Sequence, residues 1–210
     1  MKVSQQTKKT KLDLTLSLIV NLFKLNGLWI LFTLSGAIVA GIYPATITAL
    51  VISRKWLLTK DYTVTTKEFY TLFKKEFKYA NIYGLAFTLA GAILLLNYHL
   101  LTQLTGSVPI VVPIAYYILL FSYFTTLLWF FPLYVHRDNN FFNQLKNAFI
   151  IGVLKLPITL LQIIATFVLL YISLALPTMF IFFTFAILSV LWMKWTLKGI
   201  LSINFNKISQ

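Results

Sequence analysis

The groups that ordinarily move protons or hold metals are few and scattered in this chain. His99 and His136 are its two histidines, and Asp13, Asp61, Glu68, Glu76 and Asp138 are its five carboxylates among 210 residues. There is no cysteine, which excludes a thiolate nucleophile, a disulfide and a Cys-ligated metal. In the six-span arrangement set out below the two histidines lie near opposite membrane faces, so they form neither a dyad nor a shared metal site. No glycine-rich phosphate loop, Ser/His/Asp set or facing pair of carboxylates is present. Enzyme chemistry is therefore not expected, and neither is a cofactor or a metal. No acid falls in the middle of an apolar stretch, which argues against an ion-coupled pump.

The elements that would carry these residues are set by where charge is missing. Lys24 and Arg54 bracket 29 residues without Asp, Glu, Lys or Arg; Lys78 and Arg137 bracket 58, and Lys155 and Lys194 bracket 38. The chain is 59% hydrophobic and 11% charged, with a mean hydropathy of +0.83. Soluble domains carry about a quarter charged residues, and about 20 apolar residues suffice to cross a bilayer as a helix. The fold class is all-α, a polytopic transmembrane bundle of one membrane-embedded domain over 1–210. Spans are expected at about 18–40, 43–58, 79–101, 110–135, 155–174 and 177–195. The first two merge, leaving five, if residues 25–53 run as one helix. Gly41, Tyr43 and Pro44 are the turn that would separate them. Pro suits the first turn of a new helix, and Gly supplies unusual dihedrals before it.

Net charge is +13. The lysines flank the apolar stretches, so the excess reads as the positive-inside asymmetry and not as a nucleic-acid surface. With six spans the basic segments all fall on one side, which the asymmetry makes cytoplasmic, with both termini there. The bilayer itself is the first partner.

Thr65-Thr66-Lys67-Glu68 reads as a capping box. Behind it, Phe69, Leu72, Phe73, Phe77 and Ala80 form an apolar stripe opposite Lys67, Lys74 and Lys78, predicting an amphipathic helix on an anionic leaflet. Arg54, Lys55, Phe69, Phe73, Lys74, Phe77 and Lys78 are the candidate contacts to lipid or to a membrane partner. Glu76 falls within the stripe, as a rim carboxylate or a partner for Arg54 or Lys55. Asn97 to Pro113 reads as a loop. Asp138 or Asn139 is the expected N-cap of a second lead-in helix. In the fourth span, Tyr116, Tyr117, Tyr123 and Trp129 are the aromatics that would line a sugar-sized pocket.

Leu25-Asn26-Gly27-Leu28-Trp29, Pro44-Ala45-Thr46 with Ala49-Leu50, Arg54-Lys55, and the series Phe69, Phe73, Phe77-Lys78 resemble the YesL-like family of bacterial membrane proteins, a family named for its unknown function. That family usually has a Gly-Pro-Ala-Thr turn, whereas here Tyr43 precedes the Pro. The resemblance implies a protein of the bacterial cytoplasmic membrane. It also implies an accessory role beside carbohydrate uptake systems of the ATP-binding-cassette type, hence a transporter complex as partner, and it carries over no catalytic residue.

The topology is directly testable, because the chain has no native cysteine. A cysteine at Ser4 is expected to react with a membrane-impermeant thiol reagent only after cells are opened. Labelling in intact cells would contradict the arrangement.

Overall fold

The computed structural model describes residues 11–103, 109–136 and 140–201. They form eight helices: α1 Lys11–Ser35, α2 Ile42–Thr59, α3 Thr66–Gln103, α4 Val111–His136, α5 Phe141–Leu154, α6 Leu156–Ala175, α7 Pro177–Phe182 and α8 Thr184–Leu201. No strand occurs among the described residues. Five helices, α1, α3, α4, α6 and α8, are long and apolar enough to cross a membrane.

Residues 25–53 do not run as one helix. The chain turns back over Gly36–Gly41 and restarts as α2 at Ile42, so Pro44 sits in a first turn where its missing N–H costs nothing. Gly41 serves the turn differently from the sequence expectation. Its φ is an ordinary −92°, and the left-handed dihedrals fall on Ala37 (53°) and Ile38 (64°). Glycine is needed at 41 for space: a Cβ there would lie 2.3 Å from the Thr33 carbonyl oxygen. At Gly36 a Cβ would lie 2.4 Å from the Gly41 Cα.

Residues 43–58 do form a helix, which runs back antiparallel to α1 and α3, as the Trp29–Thr46, Tyr43–Thr88 and Lys55–Glu68 contacts show, although by length and composition it is not among the five long, apolar helices. It is an interior element, with Ala45, Ile47, Ala49, Leu50, Ile52 and Trp56 almost fully buried. Trp29 Nε1 of α1 donates to Thr46 Oγ1 at 3.1 Å, and Ser53 bonds Ser189 of α8 at 2.9 Å.

The amphipathic lead-in and the third span prove to be one rod. The 38 residues of α3 extend about 57 Å, well beyond a hydrocarbon core of about 30 Å. Thr65 is its N-cap, accepting the Glu68 N–H at 3.2 Å. Phe69, Phe73 and Ala80 of its stripe are buried within the bundle, while Phe77 stays 39% exposed at the edge. Phe69 stacks on Phe32 at 5.1 Å, and Phe73 packs against it at 5.2 Å in a tilted pair. The α1–α2 turn reaches only the middle of α3: Asn81 Nδ2 donates to the Ala40 carbonyl at 3.0 Å. Tyr43 lies flat on Gly84, where a Cβ would be 2.1 Å from its ring, and its hydroxyl bonds Thr88. Beyond that crossing α3 pairs with α4, for example through Tyr123 and the Phe87 carbonyl at 3.1 Å. The helix also runs through the expected loop start at Asn97. Asn97 there bonds the Ile93 carbonyl, and Gln103 bonds His99 at 2.8 Å.

Helix α4 continues past Pro132 to His136. Asp138 and Asn139 lie outside the described residues, and Asn140 occupies the N-cap of α5, without a side-chain cap bond. Trp129 is the hub of this half. Fully buried, it donates to Thr159 Oγ1 at 2.9 Å, and Thr159 donates on to the Gly152 carbonyl at 2.7 Å. Gly152 and Gly199 press against its ring; a Cβ would come within 3.0 and 2.6 Å of it. Helices α4, α5, α6 and α8 thus meet on one indole. Helices α6 and α8 run antiparallel, joined by Gln162–Thr196, Trp192–Thr166 and Ser173–Thr184.

The expected span 177–195 is broken at Phe183 into α7 and α8. A break in an apolar stretch exposes backbone groups that lipid cannot satisfy. Asn26 satisfies them. Its Nδ2 donates to the Phe180 and Ile181 carbonyls at 3.2 and 2.6 Å. Its Oδ1 accepts the Phe185 and Ala186 N–H groups at 2.8 and 3.2 Å. The side chain has no solvent exposure.

Two substitutions test this packing in detergent. Asn26→Leu leaves two donors and two acceptors unpaired and should cost about 2–4 kcal/mol in thermal or chemical unfolding; a loss below about 0.5 kcal/mol would contradict the role. At the turn, Ile38→Gly removes left-handed strain and should stabilise by about 1 kcal/mol. Gly41→Ala should lower the melting temperature, and equal effects of the two changes would refute the assignment of strain and space.

Candidate functional site

The structure separates the aromatics of α4. Trp129 is a packing centre. Tyr116 is buried and packs near Tyr98, Tyr117 is 61% exposed, and Tyr123 faces α3. At 100° per residue, positions 116 and 123 share a face, while 117 and 129 point elsewhere. The four therefore do not build one pocket. Tyr123 does line a groove of about 580 Å3 between α3, α4 and α5, with Phe87, Ser122, Thr126, Phe142 and Phe149. The groove is almost wholly apolar and open on one side, as a surface packed by lipid chains would be.

The candidate contact residues divide in the same way. Phe69 and Phe73 are buried and unavailable to a partner. Lys74, Phe77 and Lys78 are exposed on the outer face of α3. Lys55 is held by Glu68 at 2.9 Å, both about one-third exposed. Glu76 serves neither Arg54 nor Lys55; it accepts the Tyr134 hydroxyl at 2.7 Å. Ion pairs and hydrogen bonds thus tie the start of α3 to α2 and its next turns to α4.

Arg54 remains. It faces a cleft of about 670 Å3 where α2, α4 and α8 end together. Lys194, Lys198 and His136 join it there, with Leu57, Leu58, Leu197 and Leu201 among the apolar walls. The Arg54 Nε is buried and has no hydrogen-bond partner among the described residues. No carboxylate is among the described lining residues. Three helix C-termini favour cations through their dipoles, but Lys194 stands nearly two turns before the end of α8, beyond the reach of that effect. The cleft therefore gathers positive charge beside apolar surface, an arrangement able to hold an amphiphilic anion.

Arg54 is in the candidate set read from the sequence, whereas Lys194 and Lys198 are not. Their convergence depends on α2 lying against α8, which no local pattern announces. Asn26 enters the sequence analysis only as part of the family resemblance, without a structural role. A fully uncharged amide one turn before Trp29 in a membrane helix was the available signal. Among the described residues no group of three His, Asp or Glu side chains comes together to hold a metal.

Comparison with known proteins places the chain. Residues 22–98 match the family described as "Protein of unknown function, DUF624". The chain is 30% identical over 181 residues to the Bacillus subtilis (strain 168) "Uncharacterized protein YesV", covering 86% of this chain and 87% of that one. It is 29% identical over 186 residues to "Uncharacterized protein YesL" of the same organism, covering 89% and 88%. It is 30% identical over 169 residues to "Uncharacterized protein YteU", also of that organism, covering 80% and 76%. No solved structure matches. Similarity running along most of the length of three relatives, over a helical frame carrying the same Asn26, Pro44 and Arg54 segments that first suggested it, makes this chain a member of the YesL-like DUF624 family.

Proposed function

We propose that the protein is a non-enzymatic, multi-pass component of the bacterial cytoplasmic membrane, with both termini in the cytoplasm, acting as an accessory or assembly factor for a carbohydrate uptake system of the ATP-binding-cassette type. The observation that carries this reading is how the polar side chains of the apolar stretches are engaged. Asn26 bridges α7 and α8, Ser53 meets Ser189, Trp129 meets Thr159, and Gln162 meets Thr196. These groups hold helices together; they do not converge on a substrate path. The chemistry left outward-facing includes Lys74, Phe77 and Lys78 on α3, whose inner face is already packed. An exposed basic row on a rigid, bilayer-exceeding helix suits docking on a larger membrane complex, and the family resemblance supplies the kind of complex.

A second reading is a small transporter or substrate-capture subunit for a neutral ligand. The α3–α4–α5 groove, with Ser122, Tyr123 and Thr126 on its wall, favours it. Stabilisation of the purified protein by a neutral sugar, abolished by Tyr123→Ala, would select this reading over the first.

For the first reading, the chain is expected to co-purify from mild detergent with transporter subunits. Lys74→Glu/Lys78→Glu should cut the recovered partner about tenfold while leaving the melting temperature within about 2 °C, since exposed charges contribute little to folding. A chain that always isolates alone, with sugar uptake unchanged on deletion, would refute the proposal.

A further inference from the structure

We propose that the cleft between the ends of α2, α4 and α8 binds the phosphodiester headgroup of an anionic phospholipid. Arg54 is the central element. Its planar guanidinium offers donors in a fork that matches phosphate oxygens, and its Nε is already out of solvent with no acceptor among the described residues. The carboxylates of the α2–α3 connection and of the start of α3 do not line the cleft: Asp61 accepts from Thr63, Glu68 holds Lys55, and Glu76 accepts from Tyr134. Lys194 and Lys198 stand one helical turn apart on α8 and line the same cleft, both exposed. Three permanent cations so placed repel one another until an anion enters.

The walls decide which anion. Leu57, Leu58, Leu197 and Leu201 lie among the cations, and Leu58 and Leu201 are 60% and 85% exposed. A soluble phosphate would leave that apolar surface bare. A phospholipid covers it with its acyl chains while its phosphate meets Arg54 and the lysines. The cleft lies where three helices end after long uncharged stretches, the depth at which headgroups sit, and basic residues there contribute about a factor of five each to anionic lipid binding. The proposal is independent of the docking role of α3, because it uses other residues.

The test uses the purified full chain in neutral detergent, with thermal unfolding followed as phosphatidylglycerol is added in mixed micelles. Phosphatidylcholine, sn-glycerol 3-phosphate and inorganic phosphate form parallel arms. Phosphatidylglycerol should raise the melting temperature saturably and phosphatidylcholine should not. Lys194→Gln/Lys198→Gln, both exposed and so compatible with folding, should weaken the effect about 25-fold, the product of about a factor of five for each lysine. Lys67→Gln/Lys75→Gln, which removes equal charge from the exposed face of α3, should stay within about twofold of wild type. Arg54→Gln should abolish saturation. Equal stabilisation by phosphatidylcholine, or an equal loss in the Lys67/Lys75 variant, would overturn the site. Saturation by glycerol 3-phosphate or phosphate at the same affinity would overturn the lipid assignment in favour of a soluble phosphoryl ligand.

Discussion

A helix that breaks inside an apolar layer must find partners for its own backbone, because lipid offers none. The break at Phe183 is the place where this chain meets that constraint most sharply. The end of α7 has orphan carbonyls and the start of α8 has orphan N–H groups. One amide carries the complementary pair, a donor and an acceptor on a single short stem. Asn26 places both across the break, from a helix more than 150 residues away in sequence. Its position then fixes α1 against α7 and α8. With α1 fixed, Trp29 reaches Thr46 and stacks on Phe185 at 3.6 Å. That sets α2 in the centre, and α2 in turn sets Ser53 on Ser189 and Arg54 beside the end of α8.

Close approach does the rest. Without a hydrophobic drive between helices in lipid, packing depends on how near the backbones can come. Five glycines mark close contacts: Gly84 beneath Tyr43, and Gly152 and Gly199 against the Trp129 ring, seat aromatic rings on bare backbone, while at Gly36 and Gly41 within the turn backbone meets backbone. The result is a staggered molecule. The α1–α2 pair lies beside the charged first half of α3, and the apolar second half of α3 continues past it to pair with α4.

Much of this frame was legible because its causes are local. The uncharged stretches gave the helices, Thr65 gave the start of α3, and Pro44 gave the restart after the turn. The errors have physical reasons. A polar lead-in followed by an apolar run looks like two elements, yet nothing in Lys78-Tyr79-Ala80-Asn81 interrupts a helix, so α3 continues. The stripe of Phe69 and Phe73 was correctly read as amphipathic but assigned to lipid, since pattern cannot say which apolar surface will cover it. The aromatics of α4 were grouped by proximity in sequence where angular position decides. The basic cleft and the Asn26 bridge were invisible for one reason: each is made by residues far apart in the chain.

The same economy links structure to role. Asn26, Ser53, Thr159 and Ser189 in the interior are engaged in holding the bundle, while basic side chains collect at the outer face of α3 and in the cleft around Arg54. A protein so arranged acts through what it touches. All of this requires that the α7–α8 break be a closed, internally bonded joint. Amide hydrogen exchange at residues 183–187 in lipid nanodiscs tests that most directly. Phe185 and Ala186 should be protected for minutes to hours, like the helices on either side. Exchange within seconds, as in an open loop, would contradict the account.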